Sequence, residues 1–435
     1  RASLGYQTLG DFTWKELLDF DACTKCGRCH EVCPARASGA PLSPRDLILD
    51  LRQFAEQATR VRPFLDWERR AADEGTPGGG DGNGDGAGTA PSGAKLAGGI
   101  IPAETLWACT TCMACVEACP VGIEHVPTII QLRRSLVDEG DLEPTLQDAL
   151  QNIAQQGNSF GQSARTRGKW AKELPFPVKD ARKKPVRVLW FVGDYMSFDP
   201  RLQGLARSLA TILDDAGVDF GILYDGERNA GNDVRRVGEE GLFEMLVEQN
   251  IKTLSTCDFN EIITSDPHTY NTLKNEYPQF GGSWKITHYT EFLLRLLERG
   301  LITPKRGMGI RATYHDPCYL ARYNRVIDAP RDILGRLGVE LVEMPRNREN
   351  TFCCGAGGGR IWMDDSTLAE RPSEQRMKEA SELGITHFVV ACPKDVTMYR
   401  DAAKTTGFDD RITVVDIVEL IEHVTREPET AGAVG

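Results

Sequence analysis

The stretch FCCGAGGGR at 352–360 sets two adjacent cysteines, Cys353 and Cys354, ahead of a glycine-rich turn. Cys318 precedes it in YHDPCYL (314–320), and Cys392 follows in VVACPKD (389–395), which ends in Asp395. Adjacent cysteines are uncomfortable on one iron but suit neighbouring irons of a cluster. Gly355, Gly357 and Gly358 permit positive φ and close backbone approach, so their N–H groups can face sulfides and thiolates as a cofactor-binding turn. The pattern predicts a metal centre on Cys318, Cys353, Cys354 and Cys392. Asp395 is either an oxygen ligand or a carboxylate hydrogen-bonded behind the ligands. A 4Fe-4S cluster, cubane or non-cubane, is preferred to zinc on the same cysteines. His315 and Asp316 matter only if they face this centre.

Upstream, the same order of elements occurs a second time. Strand-like VRVLWFVG (186–193) is followed by Asp194, as RATYHDP (311–317) is followed by Cys318. Asn229-Ala230-Gly231 lies 35 positions beyond Asp194, and Cys353-Cys354-Gly355 lies 35 beyond Cys318. Asp266-Pro267-x-Thr269 stands where the second unit has Cys392-Pro393-x-Asp395. Each unit closes with a strand and a helix, KITHYTEFLLRLLERG and ITVVDIVELIEHV. Matched spacing and element order point to a duplication, 186–300 and 308–425. Alternating strand and helix patterns predict α/β units with mostly parallel strands. The first unit has no cysteine at the equivalent positions, so it cannot hold a thiolate-ligated cluster. Cys257 lies off those positions and reads as a small hydrophobe.

Ahead of a basic connector (156–185), residues 1–155 read as helical wherever they are regular. FTWKELLDF forms an amphipathic helix that packs its aromatics inward. Ser43 caps a helix begun by Pro44, and Pro127 opens another. The Gly-rich segment 73–99 cannot bury enough surface to order itself and reads as a mobile insertion. Two cysteine runs punctuate this region, Cys23-x2-Cys26-x2-Cys29-x3-Cys33-Pro34 and Cys109-x2-Cys112-x2-Cys115-x3-Cys119-Pro120. In such runs three thiolates wrap one cubane and the fourth reaches the other. One 4Fe-4S cubane is therefore expected on Cys23, Cys26, Cys29 and Cys119, and a second on Cys109, Cys112, Cys115 and Cys33. Zinc ribbons use paired CxxC motifs instead. The fold class is thus α + α/β: a helical two-cluster ferredoxin-like domain, then a duplicated α/β domain.

Composition agrees with an intracellular redox protein. The 435 residues include 13 cysteines, eight of them in the two runs, which is metal-site rather than disulfide arithmetic. A net charge of −12 without a basic stripe disfavours nucleic acid. No apolar run is long enough to span a bilayer. The start at Arg1 suggests a segment upstream. No P-loop, Ser–His–Asp or dinucleotide-loop setting offers another active site.

The two cysteine runs, the CCG and CPxD motifs, and stretches such as GGSWKITHYTEFL and APRDILGRLGVELVEMPRNRENTFCCGAGGGRIWM together resemble the CCG-domain iron–sulfur oxidoreductases. These include heterodisulfide reductase subunits; the likeness is strongest to the electron-transfer-flavoprotein:menaquinone oxidoreductase branch. That resemblance implies electron relay from electron-transfer flavoprotein, or another soluble redox protein, to a membrane haem/quinone domain lying upstream or in a separate subunit. Thiolate ligands to iron persist best in a reducing compartment, which places this segment on the cytoplasmic face of such a membrane. The family's motif often ends CPxC, with five cysteines around a non-cubane cluster; Asp395 departs from it. Thiol–disulfide catalysis and a non-catalytic scaffold role are the alternatives.

Overall fold

The computed structural model describes residues 4–59 and 95–426. Most of the expected Gly-rich insertion, 73–94, lies outside the described residues. Its last residues are packed instead: Leu96 and Ala97 are buried, and Ala97 bridges Ile101.

Among the described residues before 157, regular structure is helical apart from that bridge. In Trp14–Ala22, Thr13 accepts from Glu16 N while the Glu16 carboxylate accepts from Thr13 N, which satisfies two donors of the first turn. Phe12 and Phe20 face the core, but Trp14 is 77 % exposed and Leu18 55 %, so the aromatics divide between core and solvent. Ser43 Oγ accepts from Asp46 N at the head of Pro44–Thr59, as its sequence suggests. The helix expected to open at Pro127 begins two residues earlier, at His125, and runs to Glu139. Pro-led Pro144–Gln156 ends at Gly157, whose left-handed backbone no β-carbon hinders.

The remainder forms two parallel sheets. Strands β1 (Lys179–Asp180), β2 (Val188–Phe191), β3 (Phe220–Ile222), β4 (Glu261–Thr264) and β5 (Ile286–His288) are ordered β1-β3-β2-β4-β5. Strands β6 (Arg311–Tyr314), β7 (Glu340–Leu341), β8 (His387–Val390) and β9 (Thr413–Asp416) are ordered β7-β6-β8-β9. Apart from the extra edge strand β1, the two orders are the same, and every described pairing is parallel. All four residues of β2 are buried, as expected of a parallel strand covered on both faces.

This topology positions the chemistry. In parallel sheets, ligand sites gather at the carboxyl ends of the strands, around the point where strand order reverses. Cys318 and Cys392 follow the adjacent strands β6 and β8, and Cys353 and Cys354 lie in the loop after β7. Asp194, Asn229 and Asp266 hold the corresponding places after β2, β3 and β4.

One side chain ties these parts together. Arg133, wholly buried, donates to the carbonyls of Leu106, Trp107 and Cys109, to Gly358 of the glycine turn, and to Arg236 of the first sheet unit.

Candidate iron–sulfur centres

The two cysteine runs fold alike. Lys25 and Thr111, between the first two cysteines of each run, have φ of 59° and 51°. Gly27 and Met113, after the second cysteines, have φ of 82° and 65°. Left-handed backbone costs a non-glycine residue about 1 kcal/mol. Its recurrence at matching positions shows that the two runs follow the same backbone path.

Cys23, Cys26, Cys29 and Cys119 line one cavity. Cys33, Cys109, Cys112 and Cys115 line another. These are the two sets the spacing predicts. Cys29 and Cys115 pack with Val126 between the cavities. Cys26 is exposed, and the backbone N–H of Arg28 holds its thiol below the ordinary range. Burial pushes Cys29 up to about 11 and Cys33 up to about 12, and raises Cys109 and Cys115. Thiols so placed make poor free nucleophiles, but a bound cation reverses the balance and holds them as thiolates.

The third group centres on Cys353, beneath the surface. Thiols of Cys112, Cys318 and Cys354 hydrogen-bond to it and hold it well below the ordinary thiol range, while Cys112, Cys318 and Cys354 are driven up. Gly355 N donates to Cys353 Sγ at 3.4 Å and Ala356 N to Cys354 Sγ at 3.5 Å. Cys112 is thus shared in space: it lines the second cavity and touches the third group. Gly357 and Gly358 make their close approach elsewhere. A β-carbon on either would lie within 2.7 Å of the Thr110 or Cys109 carbonyl, so these glycines fit the turn against the second cysteine run.

Cys392 and Asp395 cap the group from the helix Pro393–Thr405. Asp395 N hydrogen-bonds Cys392 Sγ, and the Asp395 side chain hydrogen-bonds Cys354. Burial raises Asp395 to about 7. Its Oδ2 has no hydrogen-bond partner and lies 3.7 Å from His315 Nε2, so His315 does face the centre. Asp316 does not: it is held by both terminal nitrogens of Arg331. Cys392 Sγ sits within 4.8 Å of an Asp266 oxygen and a His268 ring nitrogen, at the seam with the first unit. The buried thiols of Cys318, Cys353, Cys354 and Cys392, with an unpartnered carboxylate oxygen at the edge, make a donor set that suits a thiolate-bound metal centre.

The corresponding place in the first unit is filled by ion pairs. Asp194 binds Arg167 at 2.8 Å and accepts from Asn229 Nδ2. Lys394, from the second unit's own CPKD motif, reaches across and pairs with Asp233. Cys257 is half-buried, with its thiol on the Thr253 carbonyl.

Arg322 was not apparent from sequence. Its guanidinium is buried, donates to the carbonyls of Cys112, Glu349 and Thr351, and leaves Nη2 without a partner beside Cys112, Cys318 and Cys353. Only its place four residues after Cys318, on the same helical face, hinted at this.

Comparison with known proteins agrees with these features. The 4Fe-4S dicluster domain matches residues 22–123, and the CCG cysteine-rich domain matches twice, at 188–274 and 312–394. The chain belongs to the CCG-domain iron–sulfur oxidoreductases. It is 41 % identical to the probable iron-sulfur-binding oxidoreductase FadF of Bacillus subtilis, over 97 % of this chain and 62 % of that protein. It is 34 % identical to the EtfAB:quinone oxidoreductase of Syntrophomonas wolfei, over 96 % of this chain and 60 % of that one. A subunit of the dihydromethanophenazine:CoB–CoM heterodisulfide reductase of Methanosarcina barkeri is 28 % identical, over 94 % and 95 %. The chain therefore spans about three fifths of the length of the first two. Among the described residues, no helix of this CCG-domain protein is long and apolar enough to cross a membrane.

Proposed function

We propose that the chain is the electron-transfer unit of an iron–sulfur oxidoreductase, relaying electrons between a soluble donor, electron-transfer flavoprotein, and a quinone-linked membrane partner at the cytoplasmic face. Residues 1–155 form its ferredoxin unit, 156–185 the connector, whose Lys179–Asp180 adds edge strand β1 to the first sheet, and 186–300 and 308–425 the paired repeats. Cys23, Cys26, Cys29 and Cys119 hold one 4Fe-4S cubane, and Cys109, Cys112, Cys115 and Cys33 the other. Cys318, Cys353, Cys354 and Cys392, with Asp395 alongside, hold a third 4Fe-4S cluster. These clusters supply one-electron carriers; the protein spaces them, excludes water and balances their charge.

The contact between Cys112 and Cys353 carries the reading. It sets a ligand of the second cubane against the central thiol of the third site, so the three centres form one series ending at exposed Cys26. The relative named EtfAB:quinone oxidoreductase supports the choice of donor and acceptor. Arg322 offsets buried negative charge where two centres adjoin. Splitting a disulfide between two clusters would need thiols in the first repeat, where ion pairs stand.

Anaerobic analysis should find about twelve iron and twelve sulfide per chain. About eight iron with one zinc would remove the third cluster. Reduced electron-transfer flavoprotein should bleach the clusters faster than a dithiol couple does; the reverse order would favour disulfide chemistry. Asp395→Cys should change the EPR signal of the third centre, and an unaltered spectrum would make Asp395 a bystander.

A further inference from the structure

A cavity of about 640 Å³ lies between the ferredoxin unit and the second repeat. Its size suits a small organic ligand. Two of its lining residues, Thr110 and Gly355, touch the third site directly: the Thr110 hydroxyl is 3.5 Å and the Gly355 N–H 3.4 Å from Cys353 Sγ. The thiols of the third site are otherwise buried. This cavity reaches within one hydrogen bond of its central sulfur.

The walls suit a flat, partly apolar ring. Trp107, Met363 and Met398 supply aromatic and thioether surface. Arg360 lines the same space. Its described hydrogen bonds go to the Met363 sulfur and the Asp364 carbonyl, not to a carboxylate, and burial holds its pKa below the ordinary range. It therefore brings a cation to a ring edge that carries negative charge. Around it stand Glu104, Asp141, Glu143, Asp364, Asp365 and Asp401, six carboxylates against the three guanidinium groups of Arg201, Arg360 and Arg371. An acidic rim disfavours an anionic lipid surface and favours a basic protein face. The exposed apolar residues Trp14, Leu18 and Val121 belong to the ferredoxin unit instead, where Lys15 bonds the Gly122 carbonyl and Val121 lines the cavity of the first cysteine run.

We infer that this cavity is the port for an isoalloxazine ring carried by a flavoprotein with a basic rim. The inference rests on the donor proposed above and adds the place where it docks. A reduced ring bound there as its anion would give up two electrons, one at a time, to a cluster on the third site that passes the first onward before taking the second, and its single N5 proton would go to water at the open mouth.

The test uses the cluster-loaded protein with Ala40→Trp and Met398→Trp, which fill the mouth from opposite walls, and Arg360→Gln. Binding is read anaerobically with free FMN and with electron-transfer flavoprotein, and cluster bleaching by stopped flow. At least tenfold weaker binding of both flavin probes is expected for either tryptophan variant, with iron content and dithionite-reduced spectra unchanged. Arg360→Gln should weaken reduced FMN more than oxidised FMN. Variants that bind and bleach like the parent would overturn the port. A parent that binds FMN at this cavity but ignores the flavoprotein would overturn the donor and keep a flavin site. Loss of menadione binding in the tryptophan variants, with flavin binding intact, would overturn the flavin assignment in favour of a quinone.

Discussion

The two repeats have one strand order and opposite contents. After β6, β7 and β8 stand Cys318, Cys353, Cys354 and Cys392; after β2, β3 and β4 stand Asp194, Asn229, Ala230 and Asp266. Charge in the second is gathered on sulfur, ready for a metal. In the first it is cancelled by Arg167 and Lys394. A parallel sheet thus supplies a crevice at its carboxyl edge, while the side chains decide whether it takes a cofactor or closes on itself.

The largest effect should come from removing the distinction at its centre. Cys353→Ser should lower iron from about twelve to about eight per chain and abolish the third EPR signal. Loss of all clusters instead would make the third site a condition for the other two. Next is the plug in the first repeat. Lys394→Met leaves Asp233 buried without its cation and should cost about 3–5 kcal/mol, read as a shift in the urea midpoint. An unchanged midpoint would mean that the first repeat does not depend on the second for neutrality.

A subtler contrast lies at the helix that closes each repeat. Its N-cap is His288 in the first and Asp416 in the second, and both are fully buried. Burial lowers His288 to about 3 and raises Asp416 to about 7 against an ordinary 3.8, so each tends toward its neutral form. For Asp416 the stabilisation by the neutral carboxyl is present at acid pH and is lost as pH rises from about 4 through about 7. Asp416→Asn keeps a good N-cap and should remove that slope. It should gain about 2 kcal/mol on the parent between pH 5 and pH 8, as read by melts of both proteins; parallel curves would sink the assignment.

Arg322→Gln should lower the midpoint potential of the third centre by about 60 mV, a tenfold change in a one-electron equilibrium. Loss of a buried cation leaves the more negative, reduced state less stabilised. A redox titration with no shift would leave Arg322 a structural clamp. Smallest of all, Cys257→Ser should leave iron content unchanged and stability within about 0.5 kcal/mol.

Much of this was legible in the chain. The cysteine runs encode their own winding, and the spacing from Asp194 to Asn229 and from Cys318 to Cys353 exposes the duplication. These signals are local or periodic. What could not be read depends on how separate elements meet. Lys394 belongs to one repeat by sequence and serves the other in space. Gly357 and Gly358 accommodate the backbone at Cys109 and Thr110, from another unit. Trp14 reads as core by pattern, yet it is Phe12 and Phe20 that fill the available interior.

Arg133 has a consequence for how the protein matures. Its guanidinium holds together carbonyls from the second cysteine run, the glycine turn and the first repeat. In the joined form Cys109, Cys112 and Cys115 are all buried. Clusters held by these thiols would couple metal insertion to the closing of this joint, so that binding energy of the metal becomes folding energy.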